Sequence, residues 1–308
     1  MQRKQFIRNS ILVGAGLLTT EVSGASVVKK NDPPVSGKPF RMNYGIHYGL
    51  FKNHAGKDFI DQIKFAYDIG FRAIEDNGMA ARPVEQQKAI GDILAKLGMA
   101  MGVFVLDKGG NGANSVASER PECLEIFLKG CRQAVEVSRR CNGKLTTVVP
   151  GDFERSLPLG VQTGNVSEAL RRGVEILEPE GIVMVLEPLS DTPDLFLRYS
   201  DQAYAICKAV NSPSCKILFD MYHMQRNEGN IIPHMDLTYA EIAYFQIGNN
   251  PGRNEPGTGE MDYKNIFRHI YQKGHRGVLG MEHGVSQPGK EGELALIRAY
   301  RESDDFPV

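Results

Sequence analysis

Four short apolar segments in the second half of the chain each end on a side chain that carries an oxygen atom. They are residues 183–187, 216–220, 242–246 and 278–282. An apolar run of this length between polar residues is typical of a strand buried on both faces. Polar groups at the carboxyl ends of several parallel strands indicate the functional rim of an α/β barrel. The pattern predicts a divalent cation site of oxygen ligands on that rim. The predicted ligands are Glu187, Asp220, Gln246 and Glu282.

Strand-like and helix-like segments alternate along the chain after residue 40. The predicted strands are 42–49, 71–75, 99–106, 144–149, 183–187, 216–220, 242–246 and 278–282, and the second of them ends on Glu75. The predicted helices are 57–69, 83–97, 121–140, 165–180, 200–210, 230–239, 263–274 and 288–300, with 150–164 expected as a loop. Such alternation needs a parallel sheet with crossover connections. Eight units of this size predict one (β/α)8 TIM barrel domain over residues 40–304.

Composition narrows the classes of protein that the chain can belong to. The 308 residues are 42% hydrophobic and 24% charged, which is ordinary for a globular enzyme. The net charge of −1 provides no basic field for nucleic acid. The five cysteines are an odd number without a CxxC pair, and we interpret them as buried apolar residues rather than as disulfide or zinc ligands.

The first residues follow the three-part plan of an export signal. Their basic side chains are Arg3, Lys4 and Arg8. An apolar segment, 11–20, and small residues at 23–25 come next. The apolar segment is too short to span a bilayer comfortably. We predict a Tat-like or Sec signal at 1–28, a Pro-rich linker at 29–39, and a periplasmic or exported protein. The alternative is a cytoplasmic protein with an N-terminal extension.

Two further groups stand next to the predicted metal ligands. His223 follows Asp220 by three positions, which places an imidazole beside a carboxylate at the same end of the barrel, although a helix cap with a surface histidine would show the same spacing. The loop 246–260 is rich in Gly and Pro and contains Arg253, whose planar guanidinium can bind a carboxylate or phosphate. The alternative for Arg253 is an ion pair with Glu255 or Glu260 that holds this loop.

Taken together, these segments resemble the hydroxypyruvate isomerase branch of the xylose-isomerase-like family of sugar isomerases and epimerases. The resemblance is carried by Leu186-Glu187-Pro188, by FDMYHMQR at 219–226, by QIGNNPGR at 246–253 with EPGTGE at 255–260, and by Gly280-Met281-Glu282. It covers most of residues 42–300 and is strongest after residue 150. Gln246 favours the isomerase branch, because the related ketose epimerases have His there. The loops at 190–194 and 76–83 differ from the family pattern.

The resemblance implies a TIM barrel that binds one divalent metal, Mg, Mn or Co, through the four predicted ligands. It implies that Glu187 and Glu282 are also the catalytic glutamates. His223 and Arg253 match positions that contact substrate, and we place Glu255 with them as a substrate-binding residue. The expected partner is a small keto acid or sugar, with no nucleic acid and no membrane span in the mature chain. The sequence leaves open whether the protein forms a homo-oligomer.

The implied reaction is aldose–ketose isomerisation of hydroxypyruvate or a related small keto or hydroxy sugar, an intramolecular oxidoreduction through an enediolate. One glutamate removes a proton and the other returns one to the adjacent carbon. The main alternative is a ketose 3-epimerase or another keto-sugar epimerase, dehydratase or lyase. A phosphodiesterase of the endonuclease IV type is disfavoured by only seven His and the net charge of −1. A non-catalytic sugar-binding barrel is disfavoured by the intact pair of glutamates.

Overall fold

The computed structural model describes residues 37–307, and this part of the chain contains nine parallel strands in one sheet. The strands are β1 (Asn43–Ile46), β2 (Ala73–Ile74), β3 (Ala100–Met101), β4 (Val103–Val105), β5 (Leu145–Val148), β6 (Val183–Leu186), β7 (Cys215–Asp220), β8 (Ile242–Gln246) and β9 (Val278–Gly280). Their order is β3-β2-β1-β9-β8-β7-β6-β5-β4. Only Gly102 separates β3, which pairs with β2, from β4, which pairs with β5. These two pieces act as one interrupted strand that closes the ring, so the predicted TIM barrel is confirmed.

Ten α-helices accompany the strands within residues 37–307. They are α1 (Lys52–Ala55), α2 (Phe59–Asp68), α3 (Val84–Leu97), α4 (Pro121–Cys141), α5 (Leu159–Leu177), α6 (Ser200–Val210), α7 (Met221–Asn227), α8 (Ile231–Thr238), α9 (Tyr263–Gln272) and α10 (Gly289–Asp304). Short 3-10 turns follow at 79–81, 178–180 and 239–241. Most predicted helices agree with these bounds to within a few residues.

Two local predictions need correction. The expected loop at 150–164 is wrong in its second part, because α5 already begins at Leu159. The side chain of Gln162 bonds to the backbone N–H and C=O of Glu154, so the first turn of α5 is tied to the preceding loop despite the weak helix formers Gly160 and Gly164. Sequence analysis also missed α7, the helix that carries His223.

The inside of the barrel is filled by apolar side chains from the strands. Its central cluster is Ala73, Val103, Val185, Leu218, Tyr244 and Val278. The five cysteines are buried and free, as predicted. In the part of the chain that the structure describes, no helix is long and apolar enough to cross a membrane. The predicted export signal at 1–28 and most of the predicted linker lie outside the described residues and stay predictions.

Candidate metal centre

Consecutive strands deliver the predicted metal ligands to one rim of the barrel. Asp220 and Gln246 are the last residues of β7 and β8, and they pair directly in the register of the sheet. Glu187 follows the last residue of β6, and Glu282 lies just beyond the end of β9. The carboxyl ends of parallel strands meet at one edge. The four side chains therefore share the same end of the barrel.

Four ionisable side chains converge there closely enough to hold a single ion. They are Glu187, Asp220, His223 and Glu282, and one potential ligand atom from each lies within 4.8 Å of those of the others. Asp220 is fully buried and His223 is 1% exposed, so the cluster lies inside the barrel mouth rather than on an open surface. Asp220 also caps α7, since its Oδ1 accepts from the backbone N–H of Tyr222 at 2.8 Å. Its Oδ2 remains directed at the cluster.

Gln246 supplies the fourth predicted oxygen. Its Nε2 donates to Oε1 of Glu75 at 3.0 Å, whereas its own Oε1 is buried and has no hydrogen-bond partner among the described residues. A buried carbonyl oxygen without a partner is costly. Carboxylate and amide oxygens suit a hard divalent cation, so the donor set and the unpartnered oxygen both fit Mg, Mn or Co.

Arg253 inserts its guanidinium into the cluster. Its Nη2 lies 3.0 Å from Asp220 Oδ2 and 2.8 Å from Glu282 Oε2. The same nitrogen is 3.2 Å from His223 Nε2, because both groups approach the shared Asp220 oxygen. The guanidinium also lies over the Tyr222 ring at 4.9 Å. The alternative of a loop ion pair with Glu255 or Glu260 is therefore wrong, and Arg253 compensates the charge of the cluster instead.

Glu255 lies elsewhere in the same loop. It is 2% exposed, and its carboxylate accepts from the backbone N–H of Ser286 at 2.9 Å and from the Ser286 hydroxyl. Its hydrogen bonds within the described chain thus tie two loops together rather than reach the cluster. A role of Glu255 in substrate binding stays a prediction.

His223 is held from both sides. The Ser190 backbone N–H donates to Nδ1 at 3.2 Å, and the Ser190 hydroxyl lies 2.8 Å from the same atom. The other ring nitrogen, Nε2, faces the cluster, 3.4 Å from Asp220 Oδ2 and 3.9 Å from Glu187 Oε1. Burial lowers the pKa of His223 and outweighs the opposing effect of Asp220, which favours the neutral imidazole.

The crowded carboxylates are hard to ionise without a cation. Burial, followed by the nearby charge of Asp220, raises the pKa of Glu187 well above its ordinary range. Burial and the charge of Glu187 do the same to the pKa of Glu282. Burial lowers the pKa of Arg253, but the surrounding carboxylates reverse this and raise it, so Arg253 stays charged. Raised carboxyl pKa values beside a fixed cation are typical of sites that move protons.

Two residues near the cluster were not recognised as site residues from the sequence. Glu75 follows β2, is fully buried, and contacts Gln246. Burial raises its pKa to about 7, although hydrogen bonds from Tyr244 and Gln246 oppose the shift. Asn77 donates through Nδ2 to Glu282 Oε1 at 2.8 Å. The strand-end pattern that revealed the other ligands also marks Glu75, so that signal was present in the sequence.

A cavity of about 190 Å³ adjoins Asn77 on the early side of the rim. It is lined by Asn77, Ala80, Ala81, Val105, Leu106, Asp107, Lys108, Gly110, Asn111 and Val149. Lys108 is 4% exposed, and its ammonium donates to the carbonyl oxygens of Gly110, Asn111 and Ala113. The Lys108 charge is therefore used to shape the loop that forms the cavity wall.

Comparison with known proteins agrees with this fold. Residues 63–302 match the family described as Xylose isomerase-like TIM barrel. The chain is 29% identical to hydroxypyruvate isomerase of Escherichia coli K12 over 269 residues, covering 85% of this chain and 99% of that protein. It is 30% identical to 2-oxo-tetronate isomerase of Cupriavidus necator over 261 residues, covering 82% and 95%. Among solved structures, 3-keto-D-glucoside 4-epimerase of E. coli superposes with a TM-score of 0.69 at 19% identity, covering 84% and 99%.

The chain therefore belongs to the xylose isomerase-like TIM barrel family, which confirms the resemblance found in the sequence. The identity and coverage shared with these two isomerases show that the chain is an isomerase. The epimerase structure, at its lower identity, supports the fold.

Proposed function

We propose that the protein is a metal-dependent isomerase of hydroxypyruvate or of a related small keto or hydroxy sugar. The observation that carries the proposal is the convergence of Glu187, Asp220 and Glu282 within 4.8 Å, together with Gln246, which pairs with Asp220 in the sheet and has a buried, unpartnered Oε1. Two of the similar proteins, which act on hydroxypyruvate and 2-oxo-tetronate by name, suggest a substrate of three or four carbons.

The residues that would hold the cation are Glu187, Asp220, Gln246 and Glu282. When bound, a divalent ion polarises the carbonyl and neighbouring hydroxyl oxygens of the substrate, which acidifies the C–H bond next to the carbonyl. Mg, Mn and Co all suit an oxygen-rich ligand set.

Proton transfer is assigned to Glu187 and Glu282, which come from β6 and from the end of β9. One carboxylate removes the proton and gives an enediolate, and the other delivers a proton to the adjacent carbon. Burial and the neighbouring negative charges raise the pKa of both groups, so each carboxylate takes up a proton more readily than an exposed glutamate. Asn77 holds Glu282 through Oε1 at 2.8 Å and keeps that carboxylate oriented.

Two donors stabilise the substrate oxygens in this scheme. His223 presents its Nε2 proton to the cluster and donates to the oxygen on which negative charge develops. Arg253 offers a planar guanidinium to the carboxylate of a keto acid. The rest of the substrate extends towards the cavity beside Asn77, whose buried Oδ1 has no partner among the described residues and can accept from a hydroxyl group.

The test is exchange of the substrate C–H with deuterated water, followed by NMR on the manganese- or magnesium-loaded protein with hydroxypyruvate and a panel of keto sugars. Glu187→Gln and Glu282→Gln are each expected to lower exchange by about 10²–10⁴-fold. The exposed Glu85→Gln serves as the matched control and keeps the rate. Wild-type exchange in either of the first two variants would refute the two-carboxylate mechanism.

The same experiment separates isomerisation from epimerisation, which two glutamates around one site can also support. Isomerisation places the new deuterium on the adjacent carbon, whereas epimerisation returns it to the carbon that lost the proton. Product analysis therefore decides between an aldose–ketose isomerase and a ketose 3-epimerase. Deuterium on the original carbon, with inverted configuration, would favour the epimerase.

A further inference from the structure

Glu75 is a fully buried carboxylate that the proposed reaction does not use directly. It follows β2, yet its side chain reaches across the barrel interior to β8. Its Oε1 accepts from Gln246 Nε2 at 3.0 Å, and its Oε2 accepts from the Tyr244 hydroxyl at 2.9 Å. Both carboxylate oxygens thus accept from side chains of one strand, β8, on another part of the barrel wall.

The barrel interior leaves room for this carboxylate. Gly280 is the last residue of β9, and a Cβ atom there would collide with Glu75 Oε2. A Cβ atom at Gly102 would likewise collide with the Tyr244 hydroxyl. Two glycines, one at the end of β9 and one between β3 and β4, therefore clear space for the contact between Glu75 and β8, which otherwise lies in an apolar core.

An amide has a donor end and an acceptor end, and only one of them can face the cluster. Both oxygens of Glu75 accept a hydrogen bond here, Oε1 from Gln246 and Oε2 from the Tyr244 hydroxyl, so Glu75 takes the donor end of the amide. Gln246 Oε1 is then left buried and without a hydrogen-bond partner among the described residues. The opposite orientation would set an N–H donor against the cation and an oxygen against the Glu75 carboxylate.

We infer that Glu75 is a positioning residue that fixes the amide orientation of Gln246 and so completes the oxygen ligand set. This inference rests on the metal site of the proposed function. Groups that orient metal ligands typically contribute 10–100-fold to metal affinity. Glu75 differs from the proposed catalytic glutamates because it acts only through Gln246.

The experiment measures Mn²⁺ affinity at pH 8 by electron paramagnetic resonance titration, with no substrate present. Glu75→Gln is expected to weaken Mn²⁺ binding by about 10–100-fold, because Gln246 loses the partner that fixes its orientation. The double variant Glu75→Gln with Gln246→Glu exchanges the two groups. It keeps a hydrogen bond between them and presents an oxygen to the metal in either rotamer, so it is expected to recover most of the lost affinity.

The control is Glu241→Gln. Glu241 is a buried carboxylate immediately before β8, at the opposite end of that strand from Gln246, and it pairs with Lys216. Its Mn²⁺ affinity is expected to match the wild type, since loss of a structural ion pair does not reach the cluster. Wild-type affinity in Glu75→Gln, or a folded double variant without recovery, would overturn the inference. If the single variant does not fold, the double variant decides alone. A wild-type protein that fails to bind Mn²⁺ would overturn the metal site itself.

Discussion

The two halves of the barrel rim differ in how their charges are satisfied. On the late half, after β6 to β9, three carboxylates crowd together and Arg253 is the cation that contacts two of them. On the early half, after β1 to β4, Arg82 pairs with Asp76, and Lys108 is enclosed by three backbone carbonyls. These early-half charges are therefore paired locally, whereas the three late-half carboxylates share one guanidinium.

This difference assigns separate tasks to the two halves. A group of buried carboxylates with raised pKa values is costly to the fold, and such costs are commonly found where chemistry takes place. On the early half, charged groups that are already paired can shape the cavity wall without competing for the cation. We therefore expect the late half to bind the cation and move protons, and the early half to fit the remainder of the substrate.

The largest expected difference comes from replacing one buried aspartate on each half with asparagine. Asp220→Asn keeps a helix-capping side chain for α7 but removes a charged ligand, so Mn²⁺ affinity is expected to fall by about 100-fold or more. Asp76→Asn breaks the early-half pair with Arg82 and is expected to leave Mn²⁺ affinity unchanged. Calorimetric titration with Mn²⁺ measures both. Equal losses in the two variants would show that the halves are not distinct.

Arg253 provides the next contrast, because it is part of the late half without being a ligand. Arg253→Gln is expected to lower kcat/KM by about 10²-fold, as a buried charge-assisted contact with a substrate carboxylate is lost. The same variant is expected to bind Mn²⁺ at least as tightly as the wild type, because a positive charge 2.8–3.0 Å from two ligand oxygens is removed. Steady-state kinetics and Mn²⁺ titration give the two quantities.

The early-half control is Arg82→Gln, in which a guanidinium paired with Asp76 is lost. It is expected to change stability more than kcat/KM. Weaker Mn²⁺ binding in Arg253→Gln would instead mean that the guanidinium holds the ligands in place.

The late half was also the part of the molecule that sequence could predict best. An apolar run that ends in Glu, Asp or Gln predicts a buried strand, its direction and the ligand at its carboxyl end. The strand β8 was predicted with its exact bounds, 242–246. His223 and Arg253 were placed at the same mouth, where they contact Asp220. Local pattern suffices when the functional group lies at the end of a buried strand.

The early half was harder to predict because its contacts cross the barrel. Glu75 ends a predicted strand, but its partner Gln246 is 171 positions away. Asn77 lies in a loop without a periodic pattern, and its contact with Glu282 spans 205 positions. The start of α5 was also missed, since the Gln162 side chain that fixes it to Glu154 has no signature in propensity. The contacts of Glu75 and Asn77 depend on closure of the ring, which no local stretch encodes.

The substitution Asn77→Ala tests whether the early half influences proton transfer through its contact with Glu282. Asn77→Ala removes the hydrogen bond to Glu282 Oε1 and leaves that carboxylate less oriented, so deuterium exchange is expected to slow by about 10-fold, the equivalent of one charge-assisted hydrogen bond. The exposed Glu85→Gln in α3 is the control and is expected to keep exchange near the wild-type rate. An unchanged rate in Asn77→Ala would confine the proton transfer to late-half residues.

The smallest effect concerns the stability of the metal-free protein against pH. The pKa values of Glu187 and Glu282 are higher in the folded chain than in the unfolded chain. At a pH between the unfolded-state and folded-state pKa of either group, the folded chain keeps a proton that the unfolded chain has released. The contribution of these two groups to the unfolding free energy then falls as pH rises above about 4.5, by at most about 1.4 kcal/mol per pH unit for each group. For a chain of this size, each 1 kcal/mol corresponds to about 2–4 °C in Tm.

We therefore expect a lower Tm at pH 8 than at pH 6 without metal, measured by calorimetry in a chelating buffer. Glu187→Gln removes one of the groups with a raised pKa and is expected to flatten this slope, whereas the early-half Asp76→Asn is expected to keep it. Mn²⁺ should raise Tm more at pH 8 than at pH 6, because it binds the deprotonated carboxylates. An equal pH slope of Tm in Glu187→Gln and the wild type would contradict the electrostatic difference between the two halves, since it would mean that Arg253 alone already compensates the late-half carboxylates.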